Sequence, residues 1–235
     1  MGSDTRPSAV CIAGFGDNAV MFAPLLRTRS AELVHLDPFD LPGFGAPPLP
    51  ETTPEALAAV VDARCQETGA RTVVAHSVAS IIASLAARRE GSPIRAIVSL
   101  EGNLTAEDAY FSGTAADHPD PDAFREALLA RLAEMGANDP ILRGYRERVE
   151  VADPAALWSL GRDSRRFSDT HHPGQVLAAA ADVTYVLNPT NCPAQSLEWL
   201  ETQGLRRLVL NGASHWPTFD RSEDVGEIIV TAAVT

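Results

Sequence analysis

The sequence predicts an α/β fold: a mostly parallel sheet with helices on both faces and an inserted helical cap. Short runs that are apolar at nearly every position alternate with helical patterns over the first hundred residues. Such runs are typical of parallel strands that are buried on both faces. The pattern over 78–89 is apolar on nearly every side, which predicts a buried helix. From 103 to 181 the patterns are helical, and the apolar runs then resume.

Each predicted element follows from local signals. Strands are predicted where short apolar runs end at turn residues, at 9–13, 32–36, 71–75, 94–100, 183–187 and 207–210. A helix opens at 52–55, where Thr52 and Glu55 have capping-box spacing and Pro54 suits the first turn, and it ends at Gly69. Further helices are predicted at 19–26, 78–89, 122–135, 140–151, 154–160, 196–202 and 224–233.

The chain length suits one domain with an insertion. The chain has 235 residues and a mass of 25.0 kDa. We expect residues 1–7 to be a disordered tail, residues 8–103 and 182–235 to form the α/β core, and residues 104–181 to form a helical cap. The polar N-terminus has no apolar signal-peptide core, and no apolar run is long enough to span a membrane.

The charge balance excludes several function classes. Acidic residues number 31 and basic residues 19, which gives a net charge of −12, and every basic residue is an arginine. Without lysine there is no Schiff-base or pyridoxal-phosphate chemistry and no phosphate-binding lysine. An acidic chain without basic runs argues against nucleic acid and anionic membranes as partners. The expected partner is a small-molecule substrate, and the chain is expected to be a monomer or homodimer.

Cysteine usage indicates a reduced compartment. Cys11, Cys65 and Cys192 are scattered, odd in number and without zinc-site spacing. A cytoplasmic location is therefore expected. Adjacent His171 and His172 do not form a metal-binding pair on a helix, so no metal is predicted. Absent lysine and abundant alanine are consistent with a GC-rich bacterial genome.

The segment Ala75-His76-Ser77-Val78-Ala79 carries the strongest chemical signal. It has the form small-x-Ser-x-small and lies between a predicted strand and a predicted buried helix. A nucleophile on a strained strand-to-helix turn needs small neighbours, and the helix N-terminus can stabilise an oxyanion. A serine that only caps the helix is the structural alternative.

A histidine follows the last predicted strand. His215 lies in the loop Asn211-Gly212-Ala213-Ser214-His215-Trp216-Pro217. Loops at the carboxyl ends of parallel strands commonly hold a general base. A histidine exposed on a surface loop is the alternative.

Together these segments resemble the α/β-hydrolase superfamily. The segment Gly14-Phe15-Gly16-Asp17 is similar to the family's oxyanion loop, and Asp40-Leu41-Pro42-Gly43-Phe44-Gly45 to its Asp-x-x-Gly-x-Gly loop. Ala75–Ala79 takes the place of the nucleophile elbow, with alanines for both glycines, and Gly212–Trp216 that of the Gly-x-x-His loop. Family caps are inserted where the helical stretch falls.

The acid of the implied triad does not lie at the position that is commonest in the family. Many members carry it after the strand that follows the cap, but here that segment contains Asn191 and no carboxylate. An amide cannot supply the buried anion that holds the imidazole. In the branch resembling haloalkane dehalogenases and zearalenone lactonases, the acid follows the strand after the elbow, where this chain has Glu101. An exposed loop carboxylate is the alternative.

The resemblance implies acyl transfer without a cofactor. Ser77 would attack a carbonyl, His215 would take its proton, and Glu101 would orient His215. Backbone N–H groups of Phe15 and Val78 would form the oxyanion hole. Because dehalogenases carry Asp at the elbow, Ser77 favours cleavage of a small or medium apolar ester, lactone or thioester.

The sequence also offers candidate pocket residues and leaves two alternative functions open. Phe124, Trp158 and Trp216 are expected to line an apolar substrate pocket, or else to form cap core. The scaffold could also serve a cofactor-free lyase, cyclase or acyltransferase of secondary metabolism. A non-catalytic ligand-binding homologue is the third hypothesis, motivated by Asn191 and by the alanines of the elbow.

Overall fold

The six predicted strands form one parallel sheet. The computed structural model describes residues 6–234. Its strands are β1 (Ser8–Ile12), β2 (His35–Phe39), β3 (Thr72–His76), β4 (Ala96–Leu100), β5 (Asp182–Leu187) and β6 (Arg206–Val209). Their order is β2-β1-β3-β4-β5-β6, and every neighbouring pair is parallel. The sheet therefore confirms the predicted α/β fold, and its strand order reverses between β1 and β3, where α/β proteins commonly bind ligands.

Helices and short 3-10 turns connect the strands. The helices are α1 (Ser30–Leu33), α2 (Pro54–Thr68), α3 (Ala79–Ala87), α4 (Pro121–Met135), α5 (Pro140–Glu150), α6 (Pro154–Thr170), α7 (Pro173–Ala178), α8 (Ala194–Thr202), α9 (Pro217–Asp220) and α10 (Ser222–Ala233). The 3-10 turns are Ala19–Phe22, Leu25–Arg27, Ala106–Ala109, Ser112–Asp117, Gly136–Asn138 and Pro189–Asn191. No helix within residues 6–234 has both the length and the apolar character to cross a membrane.

Both faces of the sheet are covered by apolar side chains. Along β1, Val10 and Ile12 face one cluster while Ala9 and Cys11 face the other, as strand geometry requires. The first cluster takes buried side chains from α2, α3 and the helices between β4 and β5. The second takes them from α10 and from the segment that follows β1. This arrangement explains why the strand sequences are continuously apolar.

Residues 104–181 are called the cap segment here. They contain α4 to α7 and three of the 3-10 turns, and no described residue of the segment is in a strand. Buried side chains of α4 and α6, including Phe124, Leu128 and Leu160, belong to the same apolar cluster as the face of the sheet. The domain boundaries at 103/104 and 181/182 stay a prediction.

Several local predictions need correction. The strand predicted at 32–36 begins at His35, because residues 30–33 form a helical turn. The predicted helix at 19–26 is two 3-10 turns, with Pro24 between them. Thr53, not Thr52, caps α2, since Thr53 Oγ1 accepts from Ala56 N at 3.1 Å.

The end of α6 and the predicted N-terminal tail also differ from the sequence-based expectation. The helix α6 continues to Thr170, beyond the predicted Leu160. Of the predicted tail over 1–7, residues 1–5 lie outside the described residues. Pro7 O accepts a hydrogen bond from His35 N at 2.8 Å, so this part of the segment is held against the start of β2.

The loop after β2 yields a test of local backbone strain. Gly45 has φ of 103°, and a Cβ there would lie 2.5 Å from Asp40 Cγ. We expect Gly45→Ala to lower the free energy of unfolding by ~3 kcal/mol through strain and this clash. Gly69→Ala is the matched control, because Gly69 has φ of 68° and open space around it, and it should cost ~1 kcal/mol. Equal losses in chemical denaturation would contradict this account.

Candidate active site

Ser77 lies on a strained turn directly after β3. Its φ is 53°, a left-handed conformation that costs free energy for a side chain with a Cβ. Ser77 N donates to Leu100 O at 2.9 Å, which fixes the turn against the end of β4. A Cβ on Gly14 would lie only 3.0 Å from Ser77 Cβ. The close approach of the loops after β1 and β3 therefore explains why residue 14 is a glycine.

Two backbone N–H groups beside Ser77 are free. Among the described residues, neither Phe15 N nor Val78 N has a hydrogen-bond partner. Val78 precedes the first turn of α3, whose N-terminus carries a partial positive charge. Both groups are thus available to donate to a new hydrogen-bond partner.

Glu101 and His215 meet at the carboxyl edge of the sheet. Glu101 follows β4, His215 lies in the loop after β6, and Glu101 Oε2 is 2.7 Å from His215 Nδ1. The side chain of Glu101 is only 4% exposed, so the carboxylate is held out of water. A carboxylate on Nδ1 leaves Nε2 as the nitrogen that can accept a proton. Glu101 is therefore not the exposed loop residue that the sequence left as an alternative.

The second carboxylate oxygen of Glu101 is also occupied. Oε1 accepts from Asn188 N at 2.9 Å and from Asn191 Nδ2 at 2.8 Å. Asn191, in the segment where the sequence lacks a carboxylate, thus donates to the carboxylate of Glu101. Sequence reasoning noted the missing carboxylate but missed this contact, which joins residues 90 positions apart.

A second left-handed turn presents Glu101. Its φ is 47°, and Glu101 N donates to Val186 O at 2.8 Å. At the following Gly102, a Cβ would lie 2.2 Å from Ser99 Oγ. A glycine is therefore required for the turn to pack against β4. The strands β3 and β4 both end in strained turns, and each turn carries one of the predicted reactive side chains.

His76 supports the loop that carries His215. It is 2% exposed, and its Nε2 lies 2.8 Å from His215 O. Because a carbonyl can only accept, Nε2 carries the proton, and Nδ1 has no partner within the described chain. Burial, and next the nearby His215, hold the pKa of His76 well below its ordinary value. His76 is therefore a neutral donor that positions His215.

One cavity of about 330 Å³ brings several of the predicted site residues together, and Val78 is not among its described lining residues. Ser77, Glu101, His215 and Phe15 all line it, and so does Trp216. Among the described residues no hydrogen bond joins Ser77 Oγ to His215. Such contacts are often long without substrate and tighten when it binds.

Two of the three predicted pocket aromatics are not on the cavity wall. Phe124 is buried in the apolar cluster, 6.0 Å from the Phe15 ring between centroids. Trp158 donates from Nε1 to His118 O at 3.2 Å and lies under Arg162. They therefore belong to the cap core, the alternative interpretation. The aromatic side chains that line the cavity are Phe15, Tyr110, Phe111, Tyr145, Tyr185 and Trp216.

The helix α5 contacts the oxyanion loop at two points that sequence reasoning missed. Tyr145 OH donates to Phe15 O at 2.6 Å. One turn later, Arg148 pairs with Asp17 through Nε at 2.5 Å and Nη2 at 3.1 Å. Trp216 Nε1 donates to the same carboxylate at 3.1 Å. One carboxylate thus ties the cap segment, the oxyanion loop and the His215 loop together.

The remaining polar groups do not form a metal site. Among residues 6–234, no three His, Cys, Asp or Glu side chains are placed to hold a metal ion. Cys192 lines the cavity, where burial raises the pKa of its thiol to about 12. Its thiol is therefore not a nucleophile at neutral pH.

Comparisons with known proteins identify a family. A family model described as "Alpha/beta hydrolase family" matches residues 9–228. None of the curated proteins compared with the chain matches it. An enol-lactonase from Burkholderia xenovorans LB400 has a TM-score of 0.74 and 17% identity, covering 100% of this chain and 94% of that one.

Two esterase structures are also similar. The esterase from Thermogutta terrifontis has a TM-score of 0.72 and 17% identity, with 96% of this chain and 88% of that one covered. The esterase from Exiguobacterium antarcticum has a TM-score of 0.74 and 15% identity, with 97% and 92% covered. At these identities the likeness shows a shared fold.

The buried pair of Asp17 and Arg148 yields a stability prediction. Asp17 is 1% exposed at its side chain, so Arg148→Met should leave a buried charge and lower the free energy of unfolding by ~3 kcal/mol. In denaturant titrations, the double variant Asp17→Asn/Arg148→Met should regain at least half of the free energy of unfolding that Arg148→Met loses. Arg165→Met, which breaks an exposed pair with Asp169, should cost below ~0.5 kcal/mol. A double variant that is no more stable than Arg148→Met would contradict this explanation.

The neutral state of His76 predicts a pH dependence of stability. In the unfolded chain a histidine binds a proton near pH ~6.5, whereas folded His76 stays neutral, so its contribution is lost as pH falls below that value. The stability lost between pH ~7 and pH ~5.5 should therefore be ~1 kcal/mol smaller in His76→Gln than in the wild type. Denaturant titrations at both pH values test this. Parallel pH profiles would refute it.

Proposed function

Because the chain belongs to the alpha/beta hydrolase family, we propose that it is a serine hydrolase acting on a small or medium apolar ester, lactone or thioester. The contact of 2.7 Å between Glu101 Oε2 and His215 Nδ1 is the observation that carries this proposal. It supplies the buried anion that a serine triad needs and that the segment around Asn191 lacks.

The acylation step follows from the positions of these groups. His215 Nε2 accepts the proton of the Ser77 hydroxyl as Oγ attacks the substrate carbonyl carbon. The carbonyl oxygen becomes an oxyanion that receives hydrogen bonds from Phe15 N and Val78 N. The protonated His215, stabilised by Glu101, then gives its proton to the departing alkoxide or thiolate. An acyl group remains on Ser77.

Deacylation repeats these steps with water as the nucleophile. His215 takes a proton from water, hydroxide attacks the acyl carbon, and the C–O bond to Ser77 breaks. The proton returns to Ser77 Oγ and the carboxylic acid leaves. The free Phe15 and Val78 N–H groups serve both tetrahedral intermediates, so no metal or organic cofactor enters the mechanism.

The two other hypotheses differ in what happens to Ser77. A ligand-binding homologue was motivated by the missing acid at Asn191 and by the alanines of the elbow, and the contact of Glu101 with His215 argues against the first of these motives. A lyase, cyclase or acyltransferase would use the same residues without net hydrolysis. Acylation of Ser77 followed by release to water separates the proposed hydrolase from both.

Covalent labelling tests the proposed nucleophile. A fluorophosphonate should add one adduct to the wild type by intact mass and none to Ser77→Ala. Ser112→Ala is the matched control, because Ser112 lines the same cavity, and it should still be labelled. Glu101→Gln should be labelled ~10³-fold more slowly, since the amide cannot stabilise the imidazolium.

The outcomes of labelling and turnover decide between the hypotheses. A folded wild type that takes no label would overturn the proposal and favour a ligand-binding protein. Labelling without turnover of any ester, lactone or thioester in a substrate panel would favour non-hydrolytic chemistry on Ser77.

A further inference from the structure

Carboxylates outnumber cations on the wall of the active-site cavity. Asp17, Glu101, Asp108 and Asp139 line it, and no arginine is among its described lining residues. Arg148 neutralises Asp17, and His215 contacts Glu101. Within residues 6–234, Asp108 and Asp139 have no ion-pair partner. The cavity wall therefore carries more carboxylates than cations, and outside the ion pair with Asp17 the guanidinium of Arg131 lies 4.7 Å from the ring centroid of Phe111 on this wall.

Both unneutralised carboxylates are held in place by hydrogen bonds. Asp108 Oδ2 accepts from Leu104 N at 2.8 Å, Thr105 N at 2.9 Å and Ser196 Oγ at 2.7 Å. Asp139 Oδ1 accepts from the first N–H groups of α5, at 2.8 and 3.1 Å. Burial raises the pKa of Asp108, while these hydrogen bonds act in the opposite direction. The donors hold both carboxyl groups in place on the wall.

Aromatic rings supply most of the remaining wall. Six aromatic side chains line the cavity, and the ring centroids of Tyr145 and Trp216 are 4.8 Å apart. Ring faces carry negative electrostatic potential and attract cations, alkylated ammonium groups above all. Such a group presents methyl groups to the rings and positive charge to the carboxylates.

A buried amide on the cavity wall has an unsatisfied hydrogen-bond donor. Asn103 lines the cavity, is 2% exposed, and its Nδ2 has no hydrogen-bond partner among the described residues. A buried donor without a partner costs free energy unless a ligand completes it. An ester or lactone has oxygen atoms that can accept this bond.

We propose that the cavity takes a substrate with a cationic, alkylammonium-type group on the part that does not react, in preference to a neutral isostere and above all to a carboxylate. This inference rests on the proposed hydrolase function and changes its substrate class, because it adds a cationic group to the ester, lactone or thioester. A cavity of about 330 Å³ is at the small end for ligand sites. The cationic group and the reacting carbonyl therefore share one compartment.

Three thioesters that differ in charge test the preference. Acetylthiocholine is cationic, S-(3,3-dimethylbutyl) thioacetate is its neutral isostere, and 3-(acetylthio)propionate is anionic. Hydrolysis of each releases a thiol, so one thiol reagent detects all three products. At low ionic strength, kcat/KM should fall by ~5-fold or more from cation to isostere and again from isostere to anion. Added salt should bring both kcat/KM ratios, cation to isostere and isostere to anion, closer to one. A cation that is no better than its isostere would overturn the inference.

Charge-removing variants assign the preference to the wall. Asp108→Asn and Asp139→Asn should each reduce the cation-to-isostere ratio by ~3-fold, and asparagine caps α5 as well as aspartate does. Asp120→Asn is the matched control, since Asp120 caps α4 through Ala123 N and does not line the cavity. It should keep the wild-type ratio. Unchanged ratios in both wall variants would contradict the assignment.

A second readout separates this inference from the function on which it rests. Echothiophate and its 3,3-dimethylbutyl isostere leave the same diethylphosphoryl group on an activated serine, and only the leaving groups differ in charge. Faster inactivation by echothiophate supports the inference even if no thioester is turned over. Equal rates overturn the inference alone. If neither compound nor the fluorophosphonate labels the wild type, both the proposed function and this inference are wrong.

Discussion

The carboxylate of Glu101 is the group on which the rest of the site depends. It is buried at the end of β4 and accepts hydrogen bonds from Asn188 N, Asn191 Nδ2 and the His215 ring. A buried carboxylate is costly unless such donors satisfy it. The donors come from the loops after β5 and β6, so one charge fixes the relative positions of three loops. His215 then takes its orientation from a carboxylate that two further donors hold in place.

The parallel sheet makes this convergence possible. Because every described strand runs in the same direction, the loops after β1, β3, β4, β5 and β6 open at one edge. Two of them begin with left-handed residues, Ser77 and Glu101. The strain persists because packing and strand-end hydrogen bonds determine both turns. The cap segment adds a second anchor, since Tyr145 and Arg148 hold the oxyanion loop from the other side.

Much of the fold follows from local sequence, and part of the site does not. The continuous apolar strands gave the sheet, and the Ser77 and His215 segments stand where strand-end chemistry is expected. Glu101 was found because a carboxylate leaves an apolar strand and because the family resemblance offers that position. The contact of Arg148 with Asp17 spans 131 positions and leaves no local pattern. Aromatic residues on helices likewise give no sign of which ones face a cavity, so the sequence left Phe124 and Trp158 open between pocket wall and cap core.

Glu101, and not a residue near Asn191, is expected to hold the proton on His215 Nδ1. Proton NMR of 15N-histidine-labelled protein tests this expectation directly, because a proton shared between imidazole and a buried carboxylate resonates far downfield of the amide signals. We expect such a signal in the wild type, its loss in His215→Gln and in Glu101→Gln, and its retention in Asn191→Leu. A signal that persists in folded Glu101→Gln would contradict it.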